Sequence, residues 1–187
     1  MTRVDRPVGD RAAWDGSPEA VAALRDVMVE HASTGTLRLV LQQLTLREAG
    51  REIGRHEVID AISDVGGNLV AVPLAAAVRA DASSSQRLDA AIARLRADIA
   101  AELGAADSLE VVLDADGRRA VHLVLRVDVT PQEVADGAAL PALRDGAHHI
   151  AHQSHALDDL RDRMAEPAPG PLRRAWDAVT APLRRAR

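Results

Sequence analysis

The fold class is decided by the stretch Ser83–Val129, which reads SSSQRLDAAIARLRADIAAELGAADSLEVVLDADGRRAVHLVLRVDV. Its first part predicts a helix that ends at Gly104, because Leu and Ile recur at every third or fourth residue and leave Arg and Asp on the opposite side. Ser83 and Gln86 have the spacing of a capping box at the start of this helix. The predicted apolar stripe consists of Leu88, Ile92, Leu95, Ile99 and Leu103.

The second part of the stretch predicts a β-hairpin. Residues 109–113 and 120–129 are rich in Val and Leu and alternate in polarity, as strands with one buried face do. The residues between them, Asp114-Ala115-Asp116-Gly117, are typical of a turn, because Asp and Gly tolerate the backbone conformations of tight turns. They also have the acid spacing of a calcium loop, but the later ligands and the bidentate Glu are missing.

Upstream of this stretch the patterns are mixed. A helix is predicted to begin after Ser17, with Ser17 as the N-cap and Pro18 at the first helical position. Residues 36–47 alternate like a strand, but the alternation changes phase and would need a bulge at Gln42-Gln43. The leucine spacing in the same segment also fits a helix, and we favour the strand.

Further helices and strands are predicted on both sides of these segments. Residues 55–65 are expected to form a short helix, because four apolar residues would lie on one of its sides. Residues 69–80 are expected to form a strand that Pro73 places at an edge or a bulge. Thr130-Pro131-Gln132-Glu133 has the pattern of a helix start with a capping box, and a main helix is predicted from about 142 to 165.

Together these elements predict an α+β fold with four regions. Residues 1–16 would form a flexible N-terminal arm. Residues 17–130 would form a two-layer domain in which helices pack on a small, partly antiparallel sheet. A helical region over 131–166 would follow, and 167–187 would form a Pro/Gly linker and a basic amphipathic helix.

The composition excludes several classes of site. The chain has 187 residues, of which 47% are hydrophobic and 27% are charged, which indicates a globular protein. It has no Cys, so a disulfide framework, a thiolate metal site and a cysteine nucleophile are excluded. Every basic residue apart from histidine is Arg, which excludes a Lys Schiff base and a P-loop Lys. This Arg usage, with abundant Ala and Val, is typical of a GC-rich bacterial genome.

Neither a targeting segment nor a catalytic motif is evident. No apolar core of a signal peptide follows the first residues, and the longest apolar run is well short of the ~20 residues of a membrane-spanning helix. A cytoplasmic location is therefore expected. The sequence contains no Gly-x-Ser-x-Gly elbow and no Gly-rich phosphate loop, so a non-enzymatic protein is favoured.

Four residues of the main helix could hold a metal ion. His148, His152 and His155 have the i, i+4, i+7 spacing of one helix face, and Asp159 extends this row. Neutral imidazoles and a carboxylate are ligands of Zn²⁺ and Ni²⁺. An ordinary solvated face, or a surface that responds to protonation, explains the same row. No cofactor is therefore expected, and Zn²⁺ or Ni²⁺ at these four residues is the alternative.

A second motif could point to nucleic acids. Residues 45–62 have some features of a helix-turn-helix, with Ala49 and Gly54 near the turn. The stretch His56–Asp60 is acidic, however, where a recognition helix would be basic. The chain also has no Phe and no Tyr with which to stack bases. Nucleic acid is therefore an unlikely partner by this criterion.

The C-terminal segment 167–187 is charged oppositely to the rest of the chain. It holds five Arg and one Asp, whereas the preceding residues hold 18 Arg and 27 acidic residues. Its apolar residues recur with helical spacing, which predicts a basic amphipathic helix that docks on a protein surface. Peripheral membrane contact is less favoured, because the segment is short and Pro182 interrupts it. The predicted partner-binding residues are Leu172, Arg173, Trp176, Val179 and Leu183.

These patterns predict a non-enzymatic interaction or structural protein, such as a subunit of an assembly. It would dock through its C-terminal helix on a protein partner or on a second copy of the chain. One alternative is a metal-binding protein or metal-dependent enzyme that uses the histidine row. The other is a nucleic-acid-binding regulator.

Deletion of residues 170–187 is expected to leave the α+β body folded and to abolish an association with another chain. Short amphipathic helices are marginal in isolation, so the apolar stripe needs a surface to cover it. A buried Trp anchor contributes ~2 kcal/mol or more to an interface, so Trp176→Ala should reproduce most of the loss. Sedimentation and co-purification of the three proteins measure this. An unchanged mass and unchanged companions after deletion would contradict the docking role.

Overall fold

The structure is a computed structural model that describes residues 11–104, 106, 108–124, 129–136 and 143–165. Within these residues the chain forms six strands and five helices, which confirms the α+β fold class. The predicted linker and helix over 167–187 lie outside the described residues. In chain order the elements are β1 (Arg11–Trp14), α1 (Pro18–His31), β2 (Thr36–Glu48), β3 (Arg51–Val65), β4 (Asn68–Pro73), α2 (Ala75–Ala80), α3 (Ala82–Leu103), β5 (Ser108–Asp114), β6 (Arg119–Val124), α4 (Pro131–Ala135) and α5 (Gly146–Ala165).

The strands form one sheet in the order β1-β6-β5-β2-β3-β4, and all neighbouring strands are antiparallel. Helices α1, α2 and α3 cover the first face of this sheet and enclose the main core. Helix α5 packs on the second face, where Leu157 contacts Val40 and Ile62. The sheet is therefore covered from both sides at its centre, whereas the sequence predicted two layers. None of the helices in the described part of the chain is both long and apolar enough to cross a membrane.

Several predicted elements are confirmed. Strands β5 and β6 form the predicted hairpin, with Val111 opposite Val121. Residues 36–47 belong to strand β2, as favoured. Helix α3 ends at Gly104, which has a positive φ of 83°, and α4 begins with the predicted capping box at Thr130. The buried members of the α3 stripe are Leu88, Ile92, Leu95 and Ile99.

The helix predicted over 55–65 is wrong, because these residues belong to strand β3. Most of its apolar residues are β-branched and suit a strand as well as a helix face. Pairing with β2 on one side and β4 on the other satisfies the backbone of its second half. The helix-turn-helix interpretation of 45–62 is wrong for the same reason. Ala49 and Gly50 instead form a tight hairpin turn with φ values of 49° and 77°.

The bulge predicted at Gln42-Gln43 is also wrong. The register of β2 against β3 is continuous there and shifts instead near its two ends, between Thr36 and Arg38 and between Leu46 and Arg47. Leu41 and Leu44 can therefore point to opposite faces. Both are fully buried, since Leu44 packs with Val129 in a second small cluster.

Two predictions about strand ends need correction. The strand predicted over 69–80 ends at Pro73, and the second half of that segment is helix α2. The strand itself is an edge strand, as expected from a proline without an N–H group. Residues Arg11–Trp14 form strand β1 at the other edge, where a mobile arm was predicted. Trp14 is buried, and its indole N–H donates to Glu102 of α3 at 2.6 Å.

Two predicted helix caps differ from the observed ones. Asp81, not Ser83, caps α3, because its Oδ1 atom accepts from the N–H groups of Ser83 and Ser84 at 2.9 and 3.2 Å. Ser17 precedes α1 as expected, but its φ is 52° and its hydroxyl makes no capping bond. That hydroxyl donates to Asp98 of α3 instead. Asp81 therefore fixes the start of α3, and Ser17 ties the start of α1 to α3.

Candidate functional site

A buried polar cluster lies between α5 and the second face of the sheet. The strand register places Gln42 opposite Glu110, and Glu110 opposite His122, so one polar row crosses three strands. Helix α5 lays its own polar side chains on this row. We call the cluster the polar junction and define it as Arg38, Gln42, Glu110, Asp114, His122, His149 and Gln153.

Glu110 is the centre of the polar junction. Its Oε1 atom accepts a hydrogen bond from Nε2 of His149 at 2.9 Å, and both side chains are almost completely buried. Nδ1 of His122 lies 3.3 Å from its Oε2 atom, without the alignment of a hydrogen bond. Burial alone would raise the pKa of Glu110, but the two imidazoles outweigh it and lower that pKa to about 2. The carboxylate is therefore ionised inside the protein.

Arg38 joins the same cluster from strand β2. Its guanidinium makes two bonds to the Asp114 carboxylate, at 2.6 and 3.2 Å, and donates to Oε1 of Gln153 at 2.6 Å. It also lies 3.5 Å from Nδ1 of His149. Because a guanidinium only donates, this nitrogen of His149 must accept. The proton of His149 is thus on Nε2, where it is donated to Glu110.

The start of α5 is held by two further polar side chains of the sheet. Oδ2 of Asp60 accepts from the N–H of Gly146, and Oε1 of Gln42 accepts from the N–H of Arg144, both at 2.7 Å. A Cβ at Gly146 would lie 2.8 Å from Cβ of Ala71, so glycine permits this close approach. Burial raises the pKa of Asp60 despite the bond from Gly146. These contacts fix where α5 meets the sheet.

The centre of the polar junction is closed to solvent, whereas His122, Asp114 and Gln153 are half-buried. His149 and Glu110 are each 1% exposed. Among the described residues, a cleft of about 340 Å³ near the start of β2 is lined by Arg38 and Asp114 of the polar junction, and another of about 400 Å³ lies between α1 and α3. Neither is lined by Glu110, His122 or His149, so neither brings a substrate to these acid–base groups. The cluster is arranged to attach α5 to the sheet.

The predicted histidine row is only partly assembled. The rings of His148 and His152 stack with their centroids 4.2 Å apart, and Nδ1 of His152 contacts the carbonyl oxygen of His148. Gln153 has non-helical backbone angles, so His155 and Asp159 follow a kink and no straight row exists. Within the described ranges, no three His, Asp or Glu side chains are placed to share an ion. Metal binding stays a prediction.

The outer edge of β3 is a feature that sequence reasoning missed. Strand β4 pairs with β3 only from Asp60 to Val65. Next to it, the N–H of Leu74 donates to the carbonyl oxygen of Ile59 at 2.7 Å. Within the described residues, no strand pairs with this edge between Ile53 and Val58. We call residues 54–58 of this edge, between Ile53 and Ile59, the free edge.

The sequence carried a signal for the polar junction but none for the free edge. A charged or amide residue inside an apolar strand, such as Arg38, Gln42 or Glu110, implies a buried partner on the same face. The free edge was hidden because 55–65 was predicted as a helix. The predicted partner-binding residues Leu172, Arg173, Trp176, Val179 and Leu183 lie outside the described residues.

Glu110→Gln is expected to destabilise the protein at pH 7 by about 3 kcal/mol. The folded pKa of Glu110 is lowered from 4.5 to about 2, so its contribution is complete above pH 4.5 and is lost as the pH falls towards 2. The difference in unfolding free energy between wild type and variant should therefore shrink over this interval. Urea unfolding at several pH values measures it. The exposed Glu48→Gln is the matched control, and an equal loss in both variants would contradict the role of Glu110.

If the histidine row binds metal, calorimetry with Zn²⁺ or Ni²⁺ should show a specific site in the wild type that His152→Ala abolishes. The expected reason is the loss of one of the two stacked imidazoles. His56→Ala, which changes a histidine on strand β3, is the control and should keep the site. Equal weak binding by all three proteins would contradict a specific metal site and would indicate only a histidine-rich surface.

The sequence was also compared with known proteins. No family model matches the chain, and no curated protein matches it.

Proposed function

We propose that the protein is a non-enzymatic interaction subunit that accepts a β-strand from another chain at the free edge of β3. The observation that carries this proposal is the outer side of residues 54–58, with which no strand of the described part of the chain pairs. An extended segment that pairs there would gain main-chain hydrogen bonds, as in other cases of strand addition. Such an edge is a template for pairing unless it is blocked.

The composition of the free edge supports strand addition. It contains no proline, so its outward N–H groups can all donate. Arg55 and Glu57 carry opposite charges, which gives a partner strand a defined register rather than general repulsion. The second half of β3 is covered by β4, so β3 itself offers one segment for strand addition within the described residues.

The C-terminal segment is the second docking element of this proposal. Its support is the charge contrast between 167–187 and the rest of the chain, together with the stripe that includes Trp176. A subunit with one edge for strand pairing and one amphipathic segment can contact two neighbours in an assembly. The proposal includes the cytoplasmic location expected from the sequence. The metal-binding alternative rests on the stacked pair His148 and His152.

Arg55→Pro is expected to abolish co-purification of a companion chain from the native host, whether that companion is another protein or a second copy. The N–H of Arg55 points away from β2, so proline removes a donor to the partner without removing a bond of the sheet. Arg55→Ala keeps the N–H and loses only the charge, so this matched variant should retain more of the companion than the proline variant. Tagged wild type and both variants are compared by mass spectrometry of their companions. The proposal would be contradicted if the Arg55→Pro variant still co-purified with the same companion chains. It would also be contradicted if the wild type purified alone as a monomer.

A further inference from the structure

We infer that the strand added at the free edge is the same strand of a second copy, so that two protomers pair β3 with β3 about a two-fold axis at His56. This inference rests on the proposed function and names its partner. Two-fold pairing uses one surface patch on both copies, so that patch must be complementary to itself. The length, hydrogen-bond pattern and charges of the free edge each meet this requirement.

The bounds of the free edge determine its centre. On one side it ends at Ile53, which is the extra residue of a bulge, because Leu46 pairs with Gly54 and Arg47 pairs with Glu52. Bulges bend a strand and interrupt its ladder. On the other side it ends at Ile59, whose carbonyl oxygen already accepts from Leu74. Two copies that overlap over the five residues between these bounds are therefore related by an axis at the midpoint, which is His56.

The hydrogen-bond pattern permits this register. The carbonyl of Ile59 points away from β2, and backbone groups alternate sides along a strand. The N–H and C=O groups of Glu57 and Arg55 therefore also point outward. In an antiparallel pair, two residues exchange both bonds only when both point towards the partner. An axis at His56 places Arg55 opposite Glu57 of the second copy, and both residues meet this condition.

The charges select the same register. With the axis at His56, Arg55 faces Glu57 of the second copy twice, once on each side of the axis. A shift of two residues in one direction would place Arg55 opposite Arg55 of the second copy. A shift of two residues in the other direction would place Glu57 opposite Glu57 of the second copy. Directly opposed like charges destabilise a strand pair, and opposite charges stabilise it. The full-overlap register is the one of the three that opposes unlike charges.

The surroundings of Glu57 leave a negative charge for this contact. Glu57 binds the guanidinium of Arg79 at 2.7 Å, and Arg79 also binds Asp89 at 2.8 Å. Two carboxylates thus share one guanidinium, and these three groups carry a net charge of −1. Arg96 lies one step further away, because it donates to Gln43 at 3.1 Å and Gln43 donates to Glu57 at 3.0 Å. Arg55 is exposed, and its contact is a 3.2 Å pair with the exposed Glu52 of the same strand. Arg55 of a second copy would balance the group at Glu57.

Charge reversal tests the pairing on the full chain. Arg55→Glu and Glu57→Arg should each weaken self-association by at least about tenfold, because each opposes like charges twice. An equimolar mixture of the two variants should restore the dimer, since every opposed pair across the axis is then again one Arg and one Glu. Sedimentation equilibrium over a range of concentrations measures all four samples. Arg51→Glu makes the same charge change beyond the bulge and should dimerise like the wild type.

Three results would overturn the inference: a wild type that is monomeric at every concentration, single reversals that dimerise like the wild type, or folded variants whose mixture stays monomeric. Circular dichroism checks folding, because Glu57→Arg also removes the partner of Arg79. If that variant unfolds, Arg55→Glu and Arg55→Pro decide, because both should lose dimerisation while Arg51→Glu keeps it. A monomeric wild type that still loses a different companion in Arg55→Pro contradicts the second copy but supports the proposed function.

Discussion

The antiparallel pairing of β2 with β3 is the constraint on which the rest of the structure depends. Its register directs Leu39, Leu41, Ile59 and Ala61 towards the main core, and Val40 and Ile62 towards α5. A shift of one residue would turn one strand over relative to the other, and would place either Arg38 and Gln42 of β2 or Asp60 of β3 in the apolar core. The pairing therefore determines where each helix can pack and which polar side chains must find partners on the second face.

The polar junction follows from the burial of both faces of the sheet. A charged residue beneath a helix is costly unless it is paired and hydrogen-bonded, and removal of one partner is costlier than the loss of an exposed ion pair. Arg38 is matched by Asp114 and Gln153, while Glu110 is matched by His149. Because these groups have directional bonds, α5 has one position on the sheet, where apolar contacts alone would tolerate several.

Sequence patterns predicted elements whose signal is local. The α3 stripe, the β5–β6 hairpin and the capping box at Thr130 depend on residues within about one turn or one strand, and all three were confirmed. Strand β3 was missed because its apolar residues satisfy both a helical and an extended pattern, and only pairing with distant strands decides between them. The contact of His149 with Glu110 spans 39 residues, and spacing within α5 cannot reveal it. The histidines that spacing singled out are instead the partly or fully exposed ones.

The length of β3 is itself an argument for an external contact. Its buried core members are Ile59, Ala61 and Ile62, whereas the residues from Arg51 to Val58 are exposed or half-buried. Ordering a residue costs about 1–2 kcal/mol of backbone entropy, and these residues bury little apolar surface in return. On the side of β2, the clusters around Leu41 and Leu44 explain why that strand extends so far. No comparable cluster among the described residues covers the outer side of β3, and the proposed strand addition would supply the contact that this extension lacks there.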